Sequence, residues 1–142
     1  MVEIYPACSS REISPGFLET LRRGWSAVFE KLQAIGVGEI TGLEGIEITL
    51  LDDDEMSRVH REFLDDPTPT DVITFDHGEL LIGVETAARQ ARIFESLADR
   101  EIALYGIHGM LHLAGYDDRS TIDAEKMAKR QLELLGEHFP SL

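Results

Sequence analysis

Apolar residues along this chain recur with two periods, one of two residues and one of three to four. Leu18, Leu21, Trp25, Val28 and Leu32 follow Ser14-Pro15 at helical spacing. That predicts a helix with proline in its first turn and a buried stripe. Trp25 lies on the stripe, so it reads as core rather than as a stacking platform. Ile46, Ile48 and Leu50 alternate with Glu47 and Thr49, the pattern of a half-buried strand. Residues 2–5 read as a short strand, and residues 53–63 as a short helix whose acidic start suits an N-cap and first turn. Residues 72–75 and 80–84 are apolar strands on either side of an Asp76-His77-Gly78 turn. Three helices follow, near residues 85–97, 100–114 and 121–135, with Asp99 and Ser120 as caps for the last two. Strands early and helices late predict an α+β domain, a small mixed β-sheet with several α-helices packed on it.

Length changes the picture little: 142 residues suit one domain, residues 1–142, large enough to bury a core without staples. No internal repeat, low-complexity tract or linker divides it. A single cysteine, Cys8, excludes an internal disulfide and suits a reducing cytoplasm. No basic-then-apolar leader opens the chain and no run approaches a membrane span, so a cytoplasmic location without membrane association is expected.

One segment carries chemistry. His108 and His112 stand four residues apart, which places their imidazoles ~40° apart around a helix and lets both face one point. A pair inside an apolar stretch (Ile107, Met110, Leu111, Leu113) also suits two core histidines satisfied by hydrogen bonds. Gly115, three residues on, can end the helix in the left-handed conformation. The chain then turns through Asp117 and Asp118, either of which can return as a third ligand. Two histidines and one carboxylate leave a zinc ion's fourth position open, the layout of a catalytic rather than a structural site.

The wider sequence resembles the YbeY family of bacterial rRNA-maturation endoribonucleases. The family signature H-G-x-L-H-L-x-G-Y-D-H is matched by HGMLHLAGYD at residues 108–117, and the family's P-T-D-V-L-S-F by Pro69-Thr70-Asp71-Val72-Ile73-Thr74-Phe75. Between them, Gly78-Glu79-Leu80-Leu81-Ile82-Gly83 is similar to the family's G-D-I-x-I-S strand, and Gln90-Ala91 fits the helix after it. The likeness runs over about residues 45–135, with the motifs in the family's order. It implies a central sheet with the two-histidine helix facing a cleft, and a zinc-dependent, single-strand-specific endoribonuclease. It also implies action in the 3′-end maturation of small-subunit ribosomal RNA and in ribosome quality control. The implied partners are ribosomal RNA, the ribosomal particle and its ribosomal or assembly proteins.

The chain departs from the pattern twice. Where the signature ends on a third histidine it has Asp118, an acceptable zinc ligand that lowers the net charge of the site and lets another divalent metal compete. His108, His112 and Asp118 are thus the expected metal ligands, with Asp117 as the fallback or as a supporting carboxylate. Where many relatives carry an arginine, six residues before Thr70, this chain has Leu64, and neither Arg58 nor Arg61 takes that position.

The residue after the first histidine is Gly109, where zinc proteases of the H-E-x-x-H type place their general base. Glutamate-assisted peptide hydrolysis is therefore disfavoured. Asp71, Glu79, Asp117 and the Asp52-Asp53-Asp54 run are the available acids, and no base is assigned among them. The remaining histidines, His60, His77 and His138, read as surface or turn residues.

A formal net charge of −14 opposes tight binding of free RNA. The few cations near the motif are Arg119 and, at helical spacing beyond it, Lys126, Lys129 and Arg130, which also suit pairing with Glu125, Glu133 and solvent. Weak affinity for free RNA and docking on a ribosomal particle are expected. Two other readings stay open: a metal hydrolase of another substrate class, and a non-catalytic ribosome-assembly factor with a weakened metal site.

Overall fold

The computed structural model describes all 142 residues. It contains β1 (Val2–Pro6), α1 (Pro15–Ile35), β2 (Ile46–Leu51), α2 (Asp53–Leu64), β3 (Val72–Phe75), β4 (Glu79–Gly83), α3 (Val84–Ile93), α4 (Ala98–Leu113) and α5 (Thr121–His138). A 3-10 turn over Glu39–Gly42 precedes β2. The strands form one sheet in the order β1-β2-β4-β3. β1 runs parallel to β2, and β2 to β4, while β3 returns antiparallel along β4 and forms the outer edge. The expected mixed sheet is present, and no helix is long and apolar enough to cross a membrane.

Alternation along the strands sends side chains to two cores. Ile46, Ile48, Leu50, Leu80 and Ile82 join the main core with α1, α4 and α5. Leu51, Ile73 and Leu81 point to the other face, where Met56 and Val59 of α2 cover them. β4 reads as an unbroken apolar run because both of its faces are buried. Trp25 is fully buried, as its place on the α1 stripe predicts. Its indole N–H donates to the Ala103 carbonyl at 3.0 Å, so α1 is tied to the middle of α4 and the polar atom is satisfied.

The caps agree with the sequence in two places and differ in two. Ser14 accepts from the Phe17 N–H and Ser120 from the Asp123 N–H, each at 3.1 Å. Asp99 does not cap α4, which begins one residue earlier after Leu97. Its carboxylate instead pairs with Arg11 at 2.6 Å, a partner 88 residues away that local pattern cannot reveal. α3 stops at Ile93 rather than near residue 97, and Glu95 takes a positive φ of 51° in the connection. Of the outlying histidines, His77 is exposed, whereas His60 and His138 are half-buried.

Asp52 precedes α2 but caps the wrong segment for a conventional N-cap. Its carboxylate accepts from the Ser10 N–H at 3.1 Å, and from the N–H and hydroxyl of Ser9 at 2.7 and 3.0 Å. These bonds pin the β1–α1 connection and hold the Asp52 carboxyl at about 2, below the ~3.9 of an unfolded chain. A depressed folded value contributes stability that is complete above the unfolded value and lost as pH falls toward the folded one. Asp52→Ala should therefore cost about 1 kcal/mol near neutral pH. Denaturant titrations of both proteins should show that gap holding between pH 5 and 7 and narrowing below about pH 4. A gap that ignores pH would mean the charge is not what holds the loop.

Candidate metal centre

α4 runs through the middle of the molecule, and from Ile102 to Leu113 all but three of its residues are buried. The exceptions are Leu104, His108 and His112, one every four residues, so a single stripe of this helix faces outward. What holds the helix in that rotation is the close approach of two glycines. A Cβ on Gly106 would lie 2.3 Å from the Trp25 indole, and one on Gly109 would lie 2.5 Å from Leu80 and 2.9 Å from the Thr74 hydroxyl. Gly109 is thus the face of α4 that rests on the sheet. A glutamate at this position, as in H-E-x-x-H proteases, has no room.

The helix ends as its glycine predicts. Gly115 takes φ 93°, its N–H donates to the His112 carbonyl at 3.1 Å, and the Tyr116 N–H donates to the Leu111 carbonyl at 3.0 Å. This pair of bonds is a Schellman motif. Its consequence is chemical, because the turn brings the Tyr116 carbonyl to within 3.2 Å of His112 Nδ1. His108 Nδ1 meets the side-chain oxygen of Gln131, from α5.

With both acceptors filled by an Nδ1–H, each neutral imidazole carries its lone pair on Nε2. The two Nε2 atoms face each other 3.0 Å apart. Two lone pairs so placed repel unless a cation lies between them. Two nitrogens on one tetrahedral zinc ion, each at about 2.0–2.1 Å, would stand about 3.3 Å apart, close to what is seen. Asp118 completes the cluster, with one donor atom from each of His108, His112 and Asp118 lying within 4.8 Å of the others. The donor set and its supports fit a divalent metal. Burial, and then the neighbouring His108, push the His112 imidazole below its ordinary value, which favours the neutral, ligating form.

The structure separates the other acidic candidates. Asp117 shares the cleft, but its carboxylate accepts from the Arg119 N–H at 3.1 Å. Asp71 also lines the cleft and accepts from its neighbour's N–H, that of Val72, at 2.7 Å. Glu79 lies on the far side of the turn beside His77, at 3.4 Å, and the Asp52–Asp54 run opens α2 away from the cleft. Arg119 lines the cleft, whereas Arg130 pairs with Glu133 at 3.2 Å. The cleft holds about 600 Å3 and lies between the end of α2, the β3 edge and the loop after α4. Gln131 is the functional residue that sequence reasoning missed. It stands 23 residues from His108, and only the packing of α5 on α4 joins them.

Two imidazoles in a cleft at the edge of a mixed sheet, with the exposed Asp118 carboxylate beside them, define a small α+β domain with a candidate metal centre. Residues 18–138 match the family model described as Endoribonuclease YbeY, and the chain belongs to that family. Proteins named Endoribonuclease YbeY are similar to it along most of its length. That of Salinibacter ruber is 28% identical over 148 aligned residues, covering 93% of this chain and 88% of the relative. That of Oceanobacillus iheyensis is 30% identical over 117 residues, 69% of this chain and 76% of the relative. A longer relative from Myxococcus xanthus is 34% identical over 112 residues, 70% of this chain, and the chain spans only 38% of its length. The solution structure of TM1509 from Thermotoga maritima superposes with a TM-score of 0.64 at 28% identity, covering 96% of this chain and 91% of the other. The fold expected from the motifs is the fold observed.

Proposed function

We propose that residues 1–142 form one metal-dependent endoribonuclease domain that cuts single-stranded RNA. Its place is cytoplasmic, in the 3′-end maturation of small-subunit ribosomal RNA and in ribosome quality control, with the ribosomal particle and its proteins as partners. The observation that carries the reading is the convergence of His108, His112 and Asp118, the two histidines lining an open cleft, in a chain that belongs to an endoribonuclease family.

In this reading His108, His112 and Asp118 hold the ion, zinc by preference of the two imidazoles, with manganese admitted by the carboxylate. A divalent ion held there would supply an activated water and polarise a phosphoryl oxygen. Gln131 and the Tyr116 carbonyl fix both imidazoles in the tautomer that ligates. Arg119, exposed on the loop, meets a phosphate of the strand. Gly109 keeps α4 seated and brings no base to the site.

Cleavage of a single-stranded RNA and of the DNA of the same sequence, by protein reconstituted with zinc or manganese, tests the proposal. RNA is expected to be cut, and the DNA, which lacks the 2′-hydroxyl, to be spared or cut far more slowly. Equal cleavage of both would point to a less selective phosphoesterase. Cleavage of neither would move the chain to a binding role in ribosome assembly.

A further inference from the structure

One wall of the cleft is aromatic and outward-facing. Phe63 and Leu64, in the last turn of α2, are 58% and 60% exposed. Phe63 meets Phe75 edge-on, with ring centroids 5.3 Å apart and planes at 76°. Phe75 in turn stacks on His77 at 5.6 Å and 22°. A helix end, a strand end and a turn thus contribute one continuous row of rings. Exposed apolar groups are ordinary when scattered, but a contiguous patch beside a reactive centre marks a contact surface.

The row joins two depressions. Phe63 and Phe75 line the cleft that holds His108 and His112, and with His77 they also line a groove of about 380 Å3 around the corner. A strand that places a phosphate at the two histidines is led over these rings as it leaves. The charges leave few other ways to hold it. Arg119 is the one cation lining the cleft, against Asp71, Asp76 and Asp117. On α2, Arg58 is taken by Glu55 and by Glu62, the latter at 3.1 Å. Phosphate contacts therefore contribute little here, and the bases must contribute more. Unpaired bases stack on aromatic rings whatever their sequence.

We infer that Phe63, Phe75 and His77 form a nucleobase-stacking wall that seats an unpaired base of the RNA next to the phosphate at the two histidines. The inference rests on the ribonuclease reading and adds the means by which an acidic protein selects unpaired strands. A base held in a duplex has no free face to give, so paired RNA is refused at this wall.

The test uses the full chain with Phe63→Ala, Phe63→Trp and Phe63→Leu. Each is read by steady-state cleavage of a single-stranded RNA and by fluorescence anisotropy with the uncut DNA of the same sequence. Thermal melts check folding, which an exposed ring should not govern. Phe63→Ala is expected to weaken DNA binding about tenfold, the scale of one lost base stack, and to raise KM more than it lowers kcat. Phe63→Trp should restore both, and Phe63→Leu, apolar but without a ring face, should not. The wild-type affinity should fall with salt at a slope near −0.7, one phosphate's worth for a single strand. Unchanged KM and binding in Phe63→Ala while the wild type still cuts RNA would overturn the wall and leave the ribonuclease reading standing. Equal rescue by Leu and Trp would also overturn it, by making the surface a general apolar contact such as a protein would use. Phe63-dependent DNA binding by a wild type that cuts no RNA would keep the wall and remove the ribonuclease.

Discussion

His112→Ala is expected to strip the site of its metal and abolish RNA cleavage while the protein stays folded. Loss of a partner that merely supports a ligand costs about 10–100-fold in metal affinity, and His112 is proposed as a ligand itself. Titration calorimetry with zinc should therefore show a fall beyond that range. The fold has little to lose: the imidazole is half-buried, and its bond to the backbone is to the Tyr116 carbonyl. That bond is worth about 1 kcal/mol, so the metal-free variant should melt close to the metal-free wild type. The same variant, purified in parallel, is the control that any claim of cleavage needs, since a trace of contaminating ribonuclease would cut equally in both. Zinc affinity within a few-fold of wild type would remove His112 from the ligand set.

The candidate site is legible in the sequence because most of it is local. His108, His112, Gly115 and Asp118 lie within one helix end and its turn, so period, cap and turn residue specify their arrangement without knowledge of the rest. The strands were legible for the same reason: period-2 alternation in β2 and the short turn between β3 and β4 are nearest-neighbour facts. What escaped depends on distant contacts. Gln131 is one polar residue on an amphipathic helix, and nothing nearby distinguishes it from Lys129 or Arg130. Asp99 has the side chain of a helix cap, yet Arg11 draws it into an ion pair instead. The Glu39–Gly42 turn has too few residues to show a period. The wall of Phe63 and Phe75 joins residues from different elements and exists only after β3 has paired with β4.

The rotation of α4 has its own test, because the face beside the histidines is fixed by an absence of side chain. Gly109→Ala should lower stability and metal affinity together, although residue 109 touches no ligand atom. Alanine favours a helix over glycine by about 1 kcal/mol, and at an open position the change would stabilise. Here the new methyl would sit 2.5 Å from Leu80 Cδ2 and 2.9 Å from its Cγ, and Leu80 is fully buried in the main core. A core leucine with no space behind it cannot swing aside as a surface chain would, so the helix must lift from the sheet. Overpacking of this kind costs about 1–3 kcal/mol, more than the helix gains. The lift carries His108, the adjacent residue, away from Gln131 on α5, which holds its Nδ1. Thermal melts and zinc titrations should thus shift in the same direction, and RNA cleavage should fall with metal occupancy. A protein that melts at or above the wild-type temperature would show that α4 has room over the sheet, and the seating of the histidine pair would then need another cause. Loss of stability with unchanged zinc affinity would separate the two effects and show that the strain at residue 109 is absorbed without moving the histidine pair.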